Sequence, residues 1–365
     1  DGGVDFFLDT PYQNLALLLD IPIVKASEVS SDNPLGTGPY SLEEGIGGKH
    51  LQRVVNWWCK SENLVAKDSS IALIEAESPS QIRDEFEFSG LSVVCTNPQT
   101  DSYADYRCDF ELWEVDSGFL MYIGCNVTYS DYFDDGTLRT FLTYGIDRQS
   151  LVDNNYGGLA LPTTLPISPM SPYYSKSLAA TYDYDEMRFI DAASKLRVPT
   201  NDKGVTRTLK LLVNSDDSAR LRCARNIAAT LTELGLACET VESPTSVYEA
   251  RLQAANYDIY LGITKLPATA DLSEFFRPWG DMSWGGLANE TIYTMVKQSL
   301  ADRGNYYNLH KLVEDNGHII PVMAGYYAIY AKRGVLSDLN PARDNVFYYT
   351  LGKTMESSKV ATQFS

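Results

Sequence analysis

Histidine is the side chain that most often moves protons or holds metals near neutral pH. This chain of 365 residues has three: His50, His310 and His318. None sits in a His-Glu-x-x-His spacing, which would put two imidazoles on one helix face around a metal. His310 and His318 lie two helical turns apart at best, so no joint metal site is expected. The six cysteines, Cys59, Cys95, Cys108, Cys125, Cys223 and Cys238, form no Cys-x-x-Cys pair, which argues against a zinc ribbon or a thioredoxin-type centre. No Gly-x-Ser-x-Gly elbow and no phosphate-cradling glycine loop occurs. Gly36-x-Gly38 lacks the third glycine of a dinucleotide fingerprint and runs into Pro39. Carboxylates are abundant, yet no pair stands apart as an acid–base couple. The residues therefore read as those of a non-enzyme with no cofactor and no metal.

Binding chemistry, by contrast, gathers in one stretch, residues 264–284. It follows a predicted strand, Asp258 to Ile263, and open α/β sheets bind ligands beyond the carboxyl ends of their strands. Thr264, Lys265, Asp271, Trp279, Asp281 and Trp284 lie there among glycines and are the candidate ligand-binding residues. Aromatic walls with a few charges suit a small polar solute. The alternative is that Trp279 and Trp284 merely plug the loop against the core.

The elements that must position such a site fit a soluble two-lobed protein. The length exceeds one ordinary core. Lys and Arg number 30 against 48 Asp and Glu, a net charge of −18 with no basic cluster, which excludes a phosphate-binding face and disfavours direct contact with anionic lipid. Ile319 to Ala331 is the most apolar run, but it is too short to span a bilayer and is read as two buried strands broken near Gly325. Cys108 and Cys125 flank a predicted hairpin centred on Asp116-Ser117-Gly118, where a disulfide could join them or two buried thiols could remain. The opening Asp-Gly-Gly-Val-Asp-Phe-Phe-Leu reads as the interior of a folded unit and not as a secretory leader.

The first half is rich in β structure: strands at 40–42, 51–55, 71–75 and 91–95, with a short helix at 12–19 and another opening at Ser78-Pro79-Ser80. Asp134 to Tyr144 is predicted to be helical, and Asp147 caps a helix from Arg148. Residues 157–174, with their prolines, are an irregular connection, and 184–196 is an amphipathic helix. A β-α-β unit follows. Leu209–Val213 is its strand, and Asp216–Leu234 its helix, with a stripe of Leu221, Ala224, Ile227, Ala228 and Leu231. Ala237–Val241 returns as the second strand. A helix at 247–255, the strand at 258–263 and helices at 290–301 and 305–315 complete an α/β pattern.

Several short motifs recur in a familiar order. Pro34-Leu35-Gly36-Thr37-Gly38-Pro39-Tyr40 is a tight turn feeding a strand; Asn56-Trp57-Trp58 and Ser89-Gly90 follow. Then come Asn126, Asp135-Gly136-Thr137-Leu138-Arg139, Tyr144-Gly145-Ile146-Asp147-Arg148, Tyr156-Gly157-Gly158-Leu159-Ala160 and Ile319-Ile320-Pro321-Val322. This set resembles the family 5 extracellular solute-binding proteins that serve dipeptide, oligopeptide and nickel importers. The resemblance implies a periplasmic-binding-protein-like fold of type II, peptide-binding subgroup, with mixed sheets flanked by helices. It assigns residues 1–30 to the remnant of a small N-terminal subdomain, the rest of which would lie upstream. Residues 31–125 with 335–365 would form lobe I, and 126–334 lobe II. It further implies a monomer that binds a peptide or related small solute in an interlobe cleft and delivers it to ABC permease subunits. That protein would be extracellular, lipid-anchored outside this sequence or periplasmic. A ligand sensor on the same fold and a carboxylate-dependent hydrolase are the alternatives. Most motif residues, Arg139 and Arg148 included, would be structural in such a protein. Peptide binders of the family carry an aspartate for the ligand's amino group. Here that position falls near Pro267 or Ala268, and Asp271 is out of register, which weakens free-amine recognition.

Overall fold

The computed structural model describes residues 5–19, 21, 23–32, 34–59, 68–88, 90–97, 106–134, 136–336, 339 and 343. Asp135, Ser89 and Pro22 lie outside the described residues. The chain forms two compact units, one built from 19–117 and 326–365, the other from 1–18 and 118–325. The division falls inside two long strands, between Ser117 and Gly118 in one and between Gly325 and Tyr326 in the other.

In the smaller unit, β1 (Tyr40–Gly45) and β2 (Gly48–Arg53) pair antiparallel from Tyr40↔Arg53 to Gly45↔Gly48, and β3 (Ser70–Ala72) joins at His50↔Ala72. The glycine turn expected there is present, with Gly48 at φ 93°. The Pro34–Tyr40 turn offers the Thr37 carbonyl to two donors at once: the indole N–H groups of Trp57 and Trp58 reach it at 2.7 and 2.8 Å. Helix α1 (Pro79–Phe88) buries Phe86, whose ring packs 4.6 Å from Tyr106. β4 (Val93–Thr96) lies antiparallel to the final strand from Val93↔Ala331 to Thr96↔Ala328. The small core of this unit is Ile329, Ala331, Val335, Leu336 and Leu339, covered by Val93, Trp113 and Ile71.

The predicted hairpin at 108–125 is instead one continuous strand, β5 (Phe110–Cys125). Ser117 is wholly buried, and Gly118 takes φ 79°, which bends the strand without ending it. Cys108 and Cys125 thus stand at opposite ends of an extended run and not across two strands, and all six cysteines are free thiols.

In the larger unit, the predicted helix 134–144 is shorter. A 3-10 turn at Asp131–Phe133 precedes α2 (Thr137–Phe141), and a second 3-10 turn covers Leu142–Gly145. Next come α3 (Arg148–Tyr156), the two-residue β6 (Leu161–Pro162), α4 (Lys176–Ala179) and α5 (Glu186–Lys195). The β-α-β unit is β7 (Leu209–Asn214), α6 (Ser218–Glu233) and β8 (Cys238–Ser243). Helix α7 (Thr245–Gln253), β9 (Ile259–Lys265), α8 (Ser273–Phe276), α9 (Glu290–Ala301) and α10 (Tyr306–Asn316) lead to β10 (Ile319–Lys332). This last is a single strand through Gly325, where two were expected, because strand pairing outweighs the flexibility of one glycine. The helix expected at 12–19 is a 3-10 turn at Leu15–Leu18.

The sheet order here is β10-β5-β9-β7-β8, with β6 against β10. β7 runs parallel to β8 and β9, and β5 antiparallel to β9. Leu209, Leu211, Leu212 and Val213 are wholly buried, as expected of a strand covered on both faces. The α6 stripe of Ala224, Ile227 and Leu231, with Leu221 at its edge, packs into the same core.

Helix ends are closed by side chains the sequence supplies. Asp147, Ser175, Asp185, Asp217 and Asn289 each accept a backbone N–H three residues on, a contribution of about 1 kcal/mol apiece. Gly317 ends α10 at φ 59°, and a Cβ there would lie 2.0 Å from the Arg139 carbonyl oxygen.

Candidate functional site

The stretch 264–284 belongs to the larger unit. Thr264 and Lys265 close β9, where their backbones pair with Leu120 and Phe119 of β5. Thr264 is half-buried and Lys265 exposed. Beyond the strand, Leu266 N–H donates to the Gly118 carbonyl at 2.9 Å. The chain then turns at Thr269, which is fully buried and held from two sides. Its carbonyl accepts the Tyr306 hydroxyl at 2.5 Å, and its own hydroxyl meets that of Tyr12 at 2.9 Å. Burial raises the Tyr12 phenol above its ordinary value, with the Asp271 carboxylate a smaller contribution in the same direction. Asp271 itself is turned to local use, since its Oδ1 accepts the Ser273 N–H at 2.8 Å at the start of α8.

The loop after α8 is clamped by one carboxylate. Glu274 accepts Arg277 Nε at 3.0 Å, Arg277 Nη2 at 2.7 Å and the Asp281 backbone N–H at 3.0 Å. Its backbone carbonyl also accepts the Met282 N–H at 3.1 Å. The Arg277 guanidinium holds the Glu274 carboxyl below its ordinary range, and the Asp281 N–H adds to that effect. The approach is close enough that a Cβ at Gly280 would lie 2.2 Å from the Glu274 carbonyl oxygen, so only glycine fits there. At the tip of this loop Trp279 is 94% exposed and takes φ 61°, a left-handed conformation that bulky residues rarely adopt. Its carbonyl accepts Arg277 Nη1 at 3.4 Å.

The two tryptophans therefore differ. Trp279 faces water, whereas Trp284 is half-buried and packs against the main core. Trp279 and Asp281 are held by the same Glu274–Arg277 clamp. Thr264 and Lys265 belong to the strand ladder, and Asp271 to the turn before α8. The residues that make the clamp, Glu274, Arg277 and Gly280, were not singled out from sequence. An acid followed three residues later by an arginine is too common a spacing to announce it.

Two cavities of the same unit lie outside this stretch. One, of about 360 Å³, is lined by residues including Asp147, Asn154, Tyr184, Asn226 and Thr230. The other, of about 260 Å³, is lined by residues including Arg148, Thr163 and Tyr174. Arg148 is 2% exposed and donates to the carbonyls of Pro321 at 2.8 Å, Thr143 at 3.2 Å and Ile146 at 3.3 Å, and to the Thr143 hydroxyl at 2.8 Å. It ties the start of α3 to β10, the structural role expected from sequence. Asn126 does similar work, its side-chain N–H groups reaching the carbonyls of Ala255 and Tyr257 at 2.9 and 2.7 Å. Among the described residues no group of three His, Cys, Asp or Glu side chains is arranged to hold a metal. No helix among them is long and apolar enough to cross a membrane.

Residues 4–286 match the model of a family described as bacterial extracellular solute-binding proteins, family 5 middle. No curated protein matches the sequence. Among solved structures, NikA from Brucella suis in complex with Fe(III)-EDTA is similar over 94% of this chain and 75% of its own, with 15% identity and a TM-score of 0.70. The ABC transporter substrate-binding protein CtaP from Listeria monocytogenes is similar over 89% and 68%, with 14% identity and a TM-score of 0.70. The oligopeptide-binding protein AppA from Bacillus subtilis, in complex with a nonapeptide, is similar over 85% and 65%, with 15% identity and a TM-score of 0.57. At such identities the likeness is one of fold: a mixed α/β architecture shared with extracellular solute-binding proteins.

Proposed function

Because the chain belongs to the bacterial extracellular solute-binding proteins of family 5, we propose that it captures a peptide or a related small polar solute reversibly and presents it to the permease of an ABC importer. The family match over residues 4–286 carries this reading, and it includes the whole stretch 264–284. Similar structures hold a nonapeptide in one case and a metal chelate in another, which supports a polar solute of one of these classes. The family description supports a place outside the cytoplasm, and a lipid-anchored or periplasmic monomer is the form proposed. Lobe I is assigned to residues 31–125 with 335–365 and lobe II to 126–334. Two compact units whose division falls in β5 and β10 support the split into two lobes, although the divisions after 117 and 325 come eight and nine residues before 125 and 334, and residues 1–18 go with the larger unit.

Within the proposed site, Trp279 supplies an aromatic face and Asp281 a carboxylate on a loop that is already ordered, so little conformational entropy is lost on contact. Lys265 and Thr264 contribute polar groups from the strand end, Asp271 orients the start of α8, and Trp284 anchors the loop to the core. No bond in the solute is made or broken.

A thermal-shift screen against peptides of graded length, sugars and metal chelates tests the proposal, since a ligand that binds only the folded form raises the melting temperature. Peptides or chelates are expected to raise it. Conversion of substrate by the purified chain would overturn the binding role, and a response to sugars alone would overturn the proposed solute class.

A further inference from the structure

Arginine carries five N–H donors, and in Arg148 four of them meet acceptors: the carbonyls of Pro321, Thr143 and Ile146, and the Thr143 hydroxyl. All four acceptors are neutral oxygens. Among the described residues no carboxylate is ion-paired with this guanidinium, although the side chain is 2% exposed. A buried cation without a counter-charge is costly, and a neighbouring anion relieves that cost.

Two acidic groups act on it from neighbouring segments, Glu314 on α10 and Asp183 before α5. Glu314 is 3% exposed, and burial pushes its carboxyl well above the ordinary range, which weakens it as a counter-charge for Arg148. Asp183 already accepts the Tyr184 N–H at 2.8 Å. Arg148 forms part of the wall of the cavity of about 260 Å³, together with Thr163, Thr164, Tyr174, Lys176 and Asp183. The Thr163 and Thr164 hydroxyls donate to the carbonyls of Leu165 and Ala179, at 2.9 Å each. Lys176 is exposed and enters no ion pair among the described residues. Two basic side chains, Arg148 and Lys176, against one acidic one, Asp183, leave the lining one formal positive charge in excess, in a chain whose net charge is −18.

We propose that this cavity is a second binding site, distinct from residues 264–284, for a small monoanionic carboxylate. The single excess charge matches a monoanion and not a dianion, hydroxyl groups line the walls, and the volume suits a few heavy atoms. The inference rests on Arg148 and its surroundings and is independent of which solute the importer carries.

Calorimetric titration of the whole chain with acetate and with neutral acetamide, at constant pH and ionic strength, tests it. Acetate is expected to bind saturably and acetamide not at all. Lys176→Gln removes one attractive charge from an exposed position and should weaken acetate roughly fivefold. Asp183→Asn removes the repelling one and should tighten it by a similar factor. An acetylated tripeptide acid compared with its C-terminal amide separates a peptide terminus from a free acid as the source of the carboxylate. Equal responses to acetate and acetamide, or wild-type affinity in both variants, would overturn the site.

Discussion

The ring of Tyr260 occupies the space that a side chain at position 124 would need, and the ring of Tyr122 does the same at position 262. A Cβ on Gly124 would lie 2.2 Å from Tyr260 Cε1, and one on Gly262 would lie 2.6 Å from Tyr122 Cζ. The register pairs Gly124 with Tyr260 and Tyr122 with Gly262, so each tyrosine lies over a glycine of the opposite strand. The two rings meet edge-on with centroids 5.7 Å apart, and their hydroxyls are 3.4 Å apart. Gly124→Ala should therefore lower stability by about 1–3 kcal/mol through overpacking, measured by chemical unfolding. A variant as stable as the parent would contradict this packing.

Arg148 should matter to folding and not to solute choice. Arg148→Met removes four hydrogen bonds and takes the guanidinium donors from the carbonyls of Pro321, Thr143 and Ile146, of which Thr143 keeps the Ile146 N–H at 3.4 Å. A loss of at least about 3 kcal/mol is expected in chemical unfolding.

Acid should weaken the fold through two histidines. His310 and His318 are 0% and 5% exposed, and burial lowers each from an ordinary value of 6.5 to about 4, helped at His318 by the Arg139 charge. The unfolded chain takes up these protons below pH 6.5, whereas the native chain resists until about pH 4. The stability is therefore complete above pH 6.5 and is lost as pH falls through that window, by about 1.4 kcal/mol per pH unit for each histidine. His310→Leu should show a shallower slope than the parent between pH 6 and 4.5; parallel curves would refute the assignment.

Glu314 acts in the opposite sense. Its carboxyl is raised by burial, so stability is fully present below the ordinary value of 4.5 and is lost as pH rises towards the folded value. Glu314→Gln keeps the neutral native shape and should raise stability at pH 7 relative to the parent. A loss instead would mean that an ionised Glu314 supports Arg148.

The two tryptophans of the candidate site should separate binding from stability. Trp279→Ala is expected to change unfolding by less than about 0.5 kcal/mol while abolishing the thermal shift given by the solute. Trp284→Ala should cost about 2 kcal/mol, because its ring packs on the core. Reversal of this pattern would place the ligand elsewhere.

Much of the larger unit was legible because its signals are local. Asp147 capping Arg148–Tyr156 is such a signal, as is the stripe of α6 between two apolar strands. The errors arose where a glycine serves a long strand. Gly118 and Gly325 each suggest a turn from their neighbours alone, but partners distant in sequence keep β5 and β10 extended through them. The Cys108–Cys125 pairing failed with that hairpin. At the candidate site the residue types were visible, but their division of labour was not. Whether a tryptophan points into water depends on a clamp whose parts, Glu274 and Gly280, look ordinary in a sequence.

The exposure of Trp279 gives the protein an optical property as well. An indole almost wholly in water emits at long wavelength and is open to collisional quenchers, while that of Trp284 is partly shielded. A solute settling over the loop tip would shift the emission to the blue and protect it from iodide, so capture could be followed by light without any attached label.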